Sequence, residues 1–374
     1  MKILVTGGAG FIGSHLIDEL LLKKHEIVVY DNLEPQVHGD LDSAPDYLAK
    51  DVTFIKNDIR NNKVLFESLE DIEIIFHLAA MVGVGQSMYQ IDRYVDVNTL
   101  GTARLLNLLV NKPNKVKKLI VASSMSTYGE GRYICEDCGK INPKLRNQEQ
   151  LENKDWEIFC PICGKKANPT NTDEDKFQDC VSIYALTKKE QEKMCLLIGE
   201  TYGIKTTALR FFNVYGSRQA LSNPYTGVCA IFSSNLLCKK SPIIFEDGDQ
   251  TRDFVHIQDI CQSLLLSMEK QNAANEIFNV GTGIPISIGH VAEVLAEYIN
   301  PKIKPKITYQ YRPGDIRHCF ADISKISSKL GYKPKISFEE GMKELIEWVK
   351  LQQGKIENNT SIALKELQKK GLLK

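Results

Sequence analysis

The chain opens on an apolar run, Ile3 to Val5, then glycine at positions 7, 10 and 13, then Phe11, Ile12, Leu16, Leu20 and Leu21 at helical spacing. This pattern predicts a strand over Lys2–Thr6, a helix over Phe11–Lys24 and a second strand over Ile27–Tyr30 that ends in Asp31. Short apolar runs recur at intervals suited to helical crossovers: Val52–Lys56, Ile72–His77, Lys118–Ser123, Thr206–Phe212 and Glu276–Val280. Helices are predicted between them around Lys63–Ser68, Tyr94–Asn111 and Ile183–Tyr202. Runs such as Ile-Ile-Phe and Leu-Ile-Val do not alternate with polar residues, as befits strands buried on both faces. The expected fold class is α/β, with a doubly wound parallel sheet. From Gly216 the pattern turns irregular, with Pro224, Pro242, Pro285, Pro301, Pro305 and Pro313 marking turns. There a helix is expected to open at Ser222–Val228 and run to about Cys238, and Glu246-Asp247-Gly248 reads as a turn between two short strands.

The order strand, G-x-x-G-x-x-G, helix, strand, acid has a chemical meaning. A pyrophosphate needs backbone N–H donors at a helix N-terminus, and glycines let the main chain approach it closely. Gly7, Gly10 and Gly13 supply that approach, with Phe11 and Ile12 at the start of the helix. A carboxylate at the end of the next strand accepts both ribose hydroxyls and repels the extra phosphate of NADP. Asp31 therefore points to NAD in a Rossmann-type sheet, with Asn32 beside it; the plainer reading is a tight turn that binds nothing. At the end of the third strand Asp58, next to Asn57 and Ile59, is either an adenine contact or an ordinary strand-end turn. After His77, itself read as structural, the small residues of Leu78-Ala79-Ala80 leave room for a cofactor across the sheet edge.

Charge narrows the partners. Lys+Arg and Asp+Glu are 47 each, so no long-range field favours nucleic acid or an anionic membrane, and a small-molecule partner is expected. No apolar segment reaches membrane-spanning length, and a cytoplasmic protein is expected. Of the ten cysteines, four stand in two C-x-x-C-G knuckles, Cys135/Cys138 and Cys160/Cys163. That spacing predicts a four-thiolate zinc ribbon, structural because no ligand position stays open for water; two disulfides or four free thiols are the alternatives. Residues 131–169 carry seven basic and six acidic side chains, which is no phosphate-binding stripe. The ribbon is expected to hold a loop beside an active-site mouth, shaping either a ligand pocket or a subunit contact.

Tyr184 and Lys188 stand at i and i+4 on one predicted helix face, so the ammonium can lie near the phenol. Together with the positive nicotinamide of NAD⁺ it is expected to lower the phenol's pKa and make Tyr184 a general base. A plain amphipathic helix would show the same spacing. At this point the chain resembles the extended short-chain dehydrogenases/reductases, in particular the NAD-dependent nucleotide-sugar epimerases and dehydratases. The resemblance rests on GGAGFIG, Asp31, HLAA, the Asn98–Thr102 element, Ser124, YALTK, RFFNVYG and the runs from Arg252 and Arg312. It implies a catalytic set of Ser124, Tyr184 and Lys188, with Lys188 also holding the nicotinamide ribose, and adds Asn98 to the cofactor contacts. It implies substrate contacts from Ser124, Ser126, Tyr184, Asn213, Arg218, Val228, Arg252 and Arg312, with the arginines on phosphate. It further implies a homodimer and a smaller C-terminal substrate lobe. The expected division is residues 1–215 for the sheet domain, with the ribbon inserted at 130–170 and strand 276–280 returning to the sheet. Residues 216–350 form the lobe mainly, and 351–374 are a tail with a short helix and no assigned role.

Dehydratases of this family carry an Asp-Glu pair after the catalytic Ser or Thr, where this chain has Met125 and Ser126. The resemblance therefore implies 4-epimerisation by transient oxidation at C4 and hydride return. Within the family the paired knuckles, VASSMSTYGEG and LSNPYTGV are similar to the bacterial dTDP-L-rhamnose 4-epimerases. UDP-glucose/UDP-galactose 4-epimerisation is the alternative, an NADH-releasing reductase is disfavoured by Asp31, and an NAD-binding regulator is the non-enzymatic reading.

Overall fold

The computed structural model describes all 374 residues. Seven strands form one sheet: β1 (Lys2–Thr6), β2 (Glu26–Asp31), β3 (Thr53–Lys56), β4 (Ile74–His77), β5 (Lys118–Ser124), β6 (Lys205–Phe211) and β7 (Glu276–Val280). They lie in the order β7-β6-β5-β4-β1-β2-β3, all neighbours parallel. The order reverses between β1 and β4, and a crevice opens beyond the carboxyl ends of strands at such a point.

Both faces are covered, as the unbroken apolar strands require. One face packs on α1 (Phe11–Leu22) through Leu16, Ile17 and Leu20, and on a helix over Ile257–Glu269 through Ile260 and Leu264. The other packs on α2 (Gly101–Asn111) and α3 (Ile183–Tyr202) through Leu105, Leu109 and Cys195. The helix expected over Tyr94–Asn111 is an α-helical turn at Ile91–Tyr94, a π-helical stretch at Val95–Leu100 and then α2. The i→i+5 bonding widens the helix there, a feature that propensity does not reveal.

Beyond the sheet, α4 (Val228–Leu237), α5 (Ile288–Ile299) and α6 (Phe338–Lys350) bury a separate apolar cluster that includes Phe232, Leu295 and Leu345. The strands flanking Glu246–Gly248 do not form the expected hairpin. Ile243–Ile244 pairs with Lys306–Ile307, whereas Thr251–His256 pairs with Asn213–Tyr215, Pro285–Ser287 and His318–Cys319. Residues between β5 and α3 form a small antiparallel sheet of Arg132–Cys135, Gly139–Ile141 and Asn168–Thr170. The tail carries α7 (Thr360–Lys369). No helix is long and apolar enough to cross a membrane.

Candidate active site

A cavity of about 660 Å³ lies in the crevice and reaches from the glycine loop to the lobe. At one end the wall is main chain. Gly7 has φ +69°, and a Cβ on it would lie 2.8 Å from the backbone of Ala79; a Cβ on Gly13 would lie 2.5 Å from the Gly7 carbonyl oxygen. Gly10 caps α1 and lines the cavity with Phe11 and Ile12, whose first-turn amides have no partner within the helix. This is a cradle that side chains would fill, and it fits a dinucleotide pyrophosphate. The Asp31 carboxylate is fixed at the end of β2 by the amides of Ala9 (3.0 Å) and Leu33 (2.9 Å). Burial pushes its pKa up, while the amides of Leu33, Ala9 and Gly10 pull it down.

Asn32, Asp58, Ile59, Leu78, Ala79 and Ala80 also line this end. Asp58 is held by Arg60 at 2.7 and 2.8 Å and by Asn32 at 3.0 Å; the Arg60 hydrogen bonds keep its carboxyl below the usual range. His77 is structural: it lies buried between the hydroxyls of Thr6 and Thr102, both at 2.8 Å, and burial pushes its pKa down to about 3.

In the middle of the cavity Ser124, the last residue of β5, meets Tyr184 and Lys188 from the first turns of α3. Ser182 caps α3 by accepting from the Ala185 amide at 3.1 Å. The Ser126 hydroxyl donates to the Ser124 oxygen at 2.9 Å, leaving the Ser124 proton free for another acceptor. Lys188 donates to the Ala122 carbonyl (2.8 Å) and to Gln191 (2.9 Å), and burial pushes its pKa down to about 8. The part of the expected lowering of the Tyr184 pKa assigned to Lys188 is corrected by the structure. Burial raises it, and the hydrogen bond with Ser124 pulls the other way without Lys188 contributing. Among the chain's own groups desolvation wins, so depression of the phenol's pKa would have to come from a cofactor's positive ring.

Sequence reasoning missed what holds α3 in place. Glu192, on the buried side of α3, accepts from Arg210 of β6 at 2.7 and 2.9 Å and from Ser123 of β5 at 2.7 Å. Both charged side chains are almost fully buried, and they lock α3 across the two strand ends.

The lobe end holds Ser126, Asn213, Val228, Arg252 and Arg312. Asn213 Oδ1 is buried without a hydrogen-bond partner. The Arg252 guanidinium donates to the carbonyls of Thr251, Ile316 and Arg317, and Arg312 pairs with Asp315 at 2.8 Å. Two expected contacts stand elsewhere. Asn98 is buried behind the wall, bridging both backbone groups of Met81 (2.7 and 3.1 Å) and the Thr187 hydroxyl (3.1 Å). Arg218 pairs with Asp18 at 2.8 Å and lies over the Tyr47 ring, outside the cavity.

The four knuckle cysteines come together, with their sulfurs all within 4.8 Å of one another. Gly139 and Gly164, each following a knuckle's second cysteine, have φ +73° and +75°, the left-handed conformation that glycine adopts freely. A single tetrahedral thiophilic ion fits this donor set. The insertion is bolted to the lobe by Arg146, which donates to both oxygens of Glu246 at 2.8 Å while Arg317 holds Glu246 (3.2 Å) and Asp247 (2.6 Å). Glu246 itself lines the cavity.

Residues 3–148 match the model of the NAD dependent epimerase/dehydratase family, and residues 162–345 match that of GDP-mannose 4,6 dehydratase. A dTDP-L-rhamnose 4-epimerase of Burkholderia thailandensis is 35% identical over 350 residues, spanning 93% of this chain and 94% of its own. The structure of a UDP-glucose 4-epimerase from Thermotoga maritima with UDP-glucose superposes with a TM-score of 0.75 at 31% identity, covering 94% of this chain and 99% of that one. A UDP-glucuronic acid 4-epimerase from Bacillus cereus, in complex with UDP-glucuronic acid and NAD, gives 0.76 at 28% identity, with 94% and 99% covered.

Proposed function

The chain belongs to the NAD-dependent epimerase/dehydratase family of sugar-nucleotide enzymes, and from that premise we propose that it interconverts dTDP-L-rhamnose and dTDP-6-deoxy-L-talose. The coarser activity, NAD-dependent 4-epimerisation of a nucleotide sugar, follows from the family and its relatives. The observation that carries the reading is that Ser124, Tyr184 and Lys188 share one cavity with the glycine loop; by the family resemblance, Met125 and Ser126 stand where a dehydratase has its Asp-Glu pair.

Gly7, Gly10, Gly13 and Asp31 would hold the dinucleotide, which when bound supplies a hydride acceptor and then a donor. Tyr184 would take the proton of the sugar's C4 hydroxyl and return it after the 4-keto sugar has turned. Ser124 would hold that oxygen, and Lys188 would favour the phenolate once the cofactor's positive ring is alongside. Asn213, with its unpaired oxygen, and the arginines Arg252 and Arg312 would orient the nucleotide diphosphate in the lobe formed mainly by residues 216–350. UDP-glucose/UDP-galactose 4-epimerisation is the second reading, favoured by the 31% identity to the Thermotoga enzyme.

Zinc on Cys135, Cys138, Cys160 and Cys163 belongs to the proposal as a structural ion that keeps Arg146 against Glu246. Metal analysis of the purified protein should find about one zinc per chain, and much less contradicts the site. A homodimer is proposed too: the helix that carries Tyr184 and the one around Tyr94–Asn111 resemble the family's dimer bundle, and Val95, Leu100 and Leu186 leave apolar side chains exposed there. The substrate test is direct. Incubation with dTDP-, UDP-, GDP- and CDP-sugars, followed by NMR, should produce a C4 epimer from dTDP-L-rhamnose, and exchange only with UDP-hexoses favours the second reading.

A further inference from the structure

Residues 351–374 lie beyond both family-model matches, the later of which ends at residue 345. Yet Thr360, Ala363, Leu364 and Leu367, at i, i+3, i+4 and i+7 on α7, line the same cavity as Ser124 and Tyr184. Ala363 and Leu367 are each only 4% exposed, whereas Lys365, Gln368 and Lys369 on the opposite face are exposed. An amphipathic helix with its apolar stripe turned into an active-site cavity is a wall, not a loose end.

The tail is tied down along its length. Asn358 donates to Asn235 at 2.7 Å, and the Glu357 amide donates to the Ser222 hydroxyl at 3.1 Å. The Tyr225 hydroxyl donates to Glu366 at 3.2 Å and is itself 2.5 Å from the hydroxyl of Tyr89. At the end of the chain Lys374 and Tyr311 exchange two backbone hydrogen bonds of 3.0 Å. Leu367 thereby rests on Gly85, where an added Cβ would lie 3.4 Å from its methyl. Gly85 belongs to the turn that carries Ser87, whose hydroxyl accepts from the Tyr184 amide at 3.0 Å. The tail thus closes the cavity next to the segment that braces the catalytic tyrosine.

The wall made by Val82–Gly85 with Ala363, Leu364 and Leu367 carries no charge. The lysine and arginine side chains on the cavity lining are Lys188, which donates to Ala122 and Gln191 beside Tyr184, and Arg252 and Arg312, which the proposed function assigns to the diphosphate; none belongs to the α7 wall. We infer that α7 is a specificity element. It presents an apolar surface to C6 of the bound sugar and selects a nucleotide 6-deoxyhexose, whose C6 is a methyl, against a nucleotide uronate. A methyl gains from that contact, whereas a carboxylate would lose its water with no cation to replace it. The inference rests on the nucleotide-sugar reading of the site.

The test uses dTDP-6-deoxyglucose, dTDP-glucose and dTDP-glucuronate, which differ only at C6, titrated calorimetrically into the NAD-loaded chain. The intact protein should bind the 6-deoxy sugar about tenfold or more tighter than the uronate. Leu364→Arg, and a chain ending at Gln353, should lose about tenfold for the 6-deoxy sugar and level the difference, with Leu364→Arg gaining uronate affinity. NAD affinity near that of the intact chain reports that both variants are folded. If the sugars bind but the C6 order is flat in the intact chain, or survives unchanged in both variants, the role of α7 is overturned and the epimerase reading stands. If neither these sugars nor dTDP-L-rhamnose, titrated as a control, binds the intact chain, both fall together.

Discussion

At the cofactor end of the cavity the wall is backbone and small residues delivered by three neighbouring strands of the sheet, Gly7–Gly13 after β1, Asp31 at the end of β2 and Leu78–Ala80 after β4. At the sugar end it is assembled from segments far apart in the chain, with Arg146 of the cysteine insertion clamped on Glu246, Arg317 on Asp247 and α7 laid across the opening. The first end is a local consequence of the βαβ pattern and follows from which residues lack a Cβ. The second depends on long-range buried charge pairs, which are costly to desolvate and more costly to break than to keep. Damage to the sugar end should therefore change substrate recognition while NAD binding persists, and loss of the Tyr184 hydroxyl between the two ends should lower turnover with NAD binding kept.

The largest effect should come from the middle. Tyr184→Phe should lower turnover by about 10³-fold or more, since the proton acceptor is gone, and leave NAD affinity near normal by fluorescence titration. Turnover close to wild type would remove Tyr184 from its role. Next comes the clamp. Arg146→Ala leaves Glu246 with Arg317 alone in a buried site and should cost about 3 kcal/mol of stability, read by denaturant unfolding. It should also raise the KM for the sugar nucleotide while the Kd for NAD stays put; equal losses at both ends would break the comparison.

The smallest effect is a pH dependence. Burial holds the folded-state pKa of Lys188 at about 8, against an ordinary value of 10.5. Below pH 8 both folded and unfolded chains keep the proton, so the full cost of burying the ammonium is present. Between pH 8 and 10.5 the unfolded chain binds more protons than the folded one, so stability rises with pH and levels off above that window. Lys188→Met lacks this rise, so the stability of the intact chain relative to the variant should rise by ~1–3 kcal/mol across it. A flat difference would mean that the ammonium is not desolvated.

The contrast also governs what the sequence discloses. The seven strands, the glycine loop, Asp31 and the Tyr184–Lys188 pair are local patterns, and all are found at or within a residue or two of where periodicity and spacing put them. The four cysteines also meet, because two knuckles with left-handed glycines bring each pair together. Asn98 and Arg218 mislead for a shared reason. A polar side chain near a site gives no sign of whether it faces the ligand, and here one braces Met81 while the other pairs with Asp18. Glu192–Arg210 and Arg146–Glu246 were not legible, since nothing in a sequence couples charges so far apart. The apolar stripe Thr360, Ala363, Leu364, Leu367 is readable as a helix face, but the surface it covers is not.

The central claim is that hydride leaves C4 and comes back to it inside one cavity. With dTDP-L-rhamnose deuterated at C4, the C4 epimer should keep its deuterium, and the unlabelled sugar in D₂O should take up none at that carbon. Loss of the label to solvent, or its gain from solvent, would contradict the account.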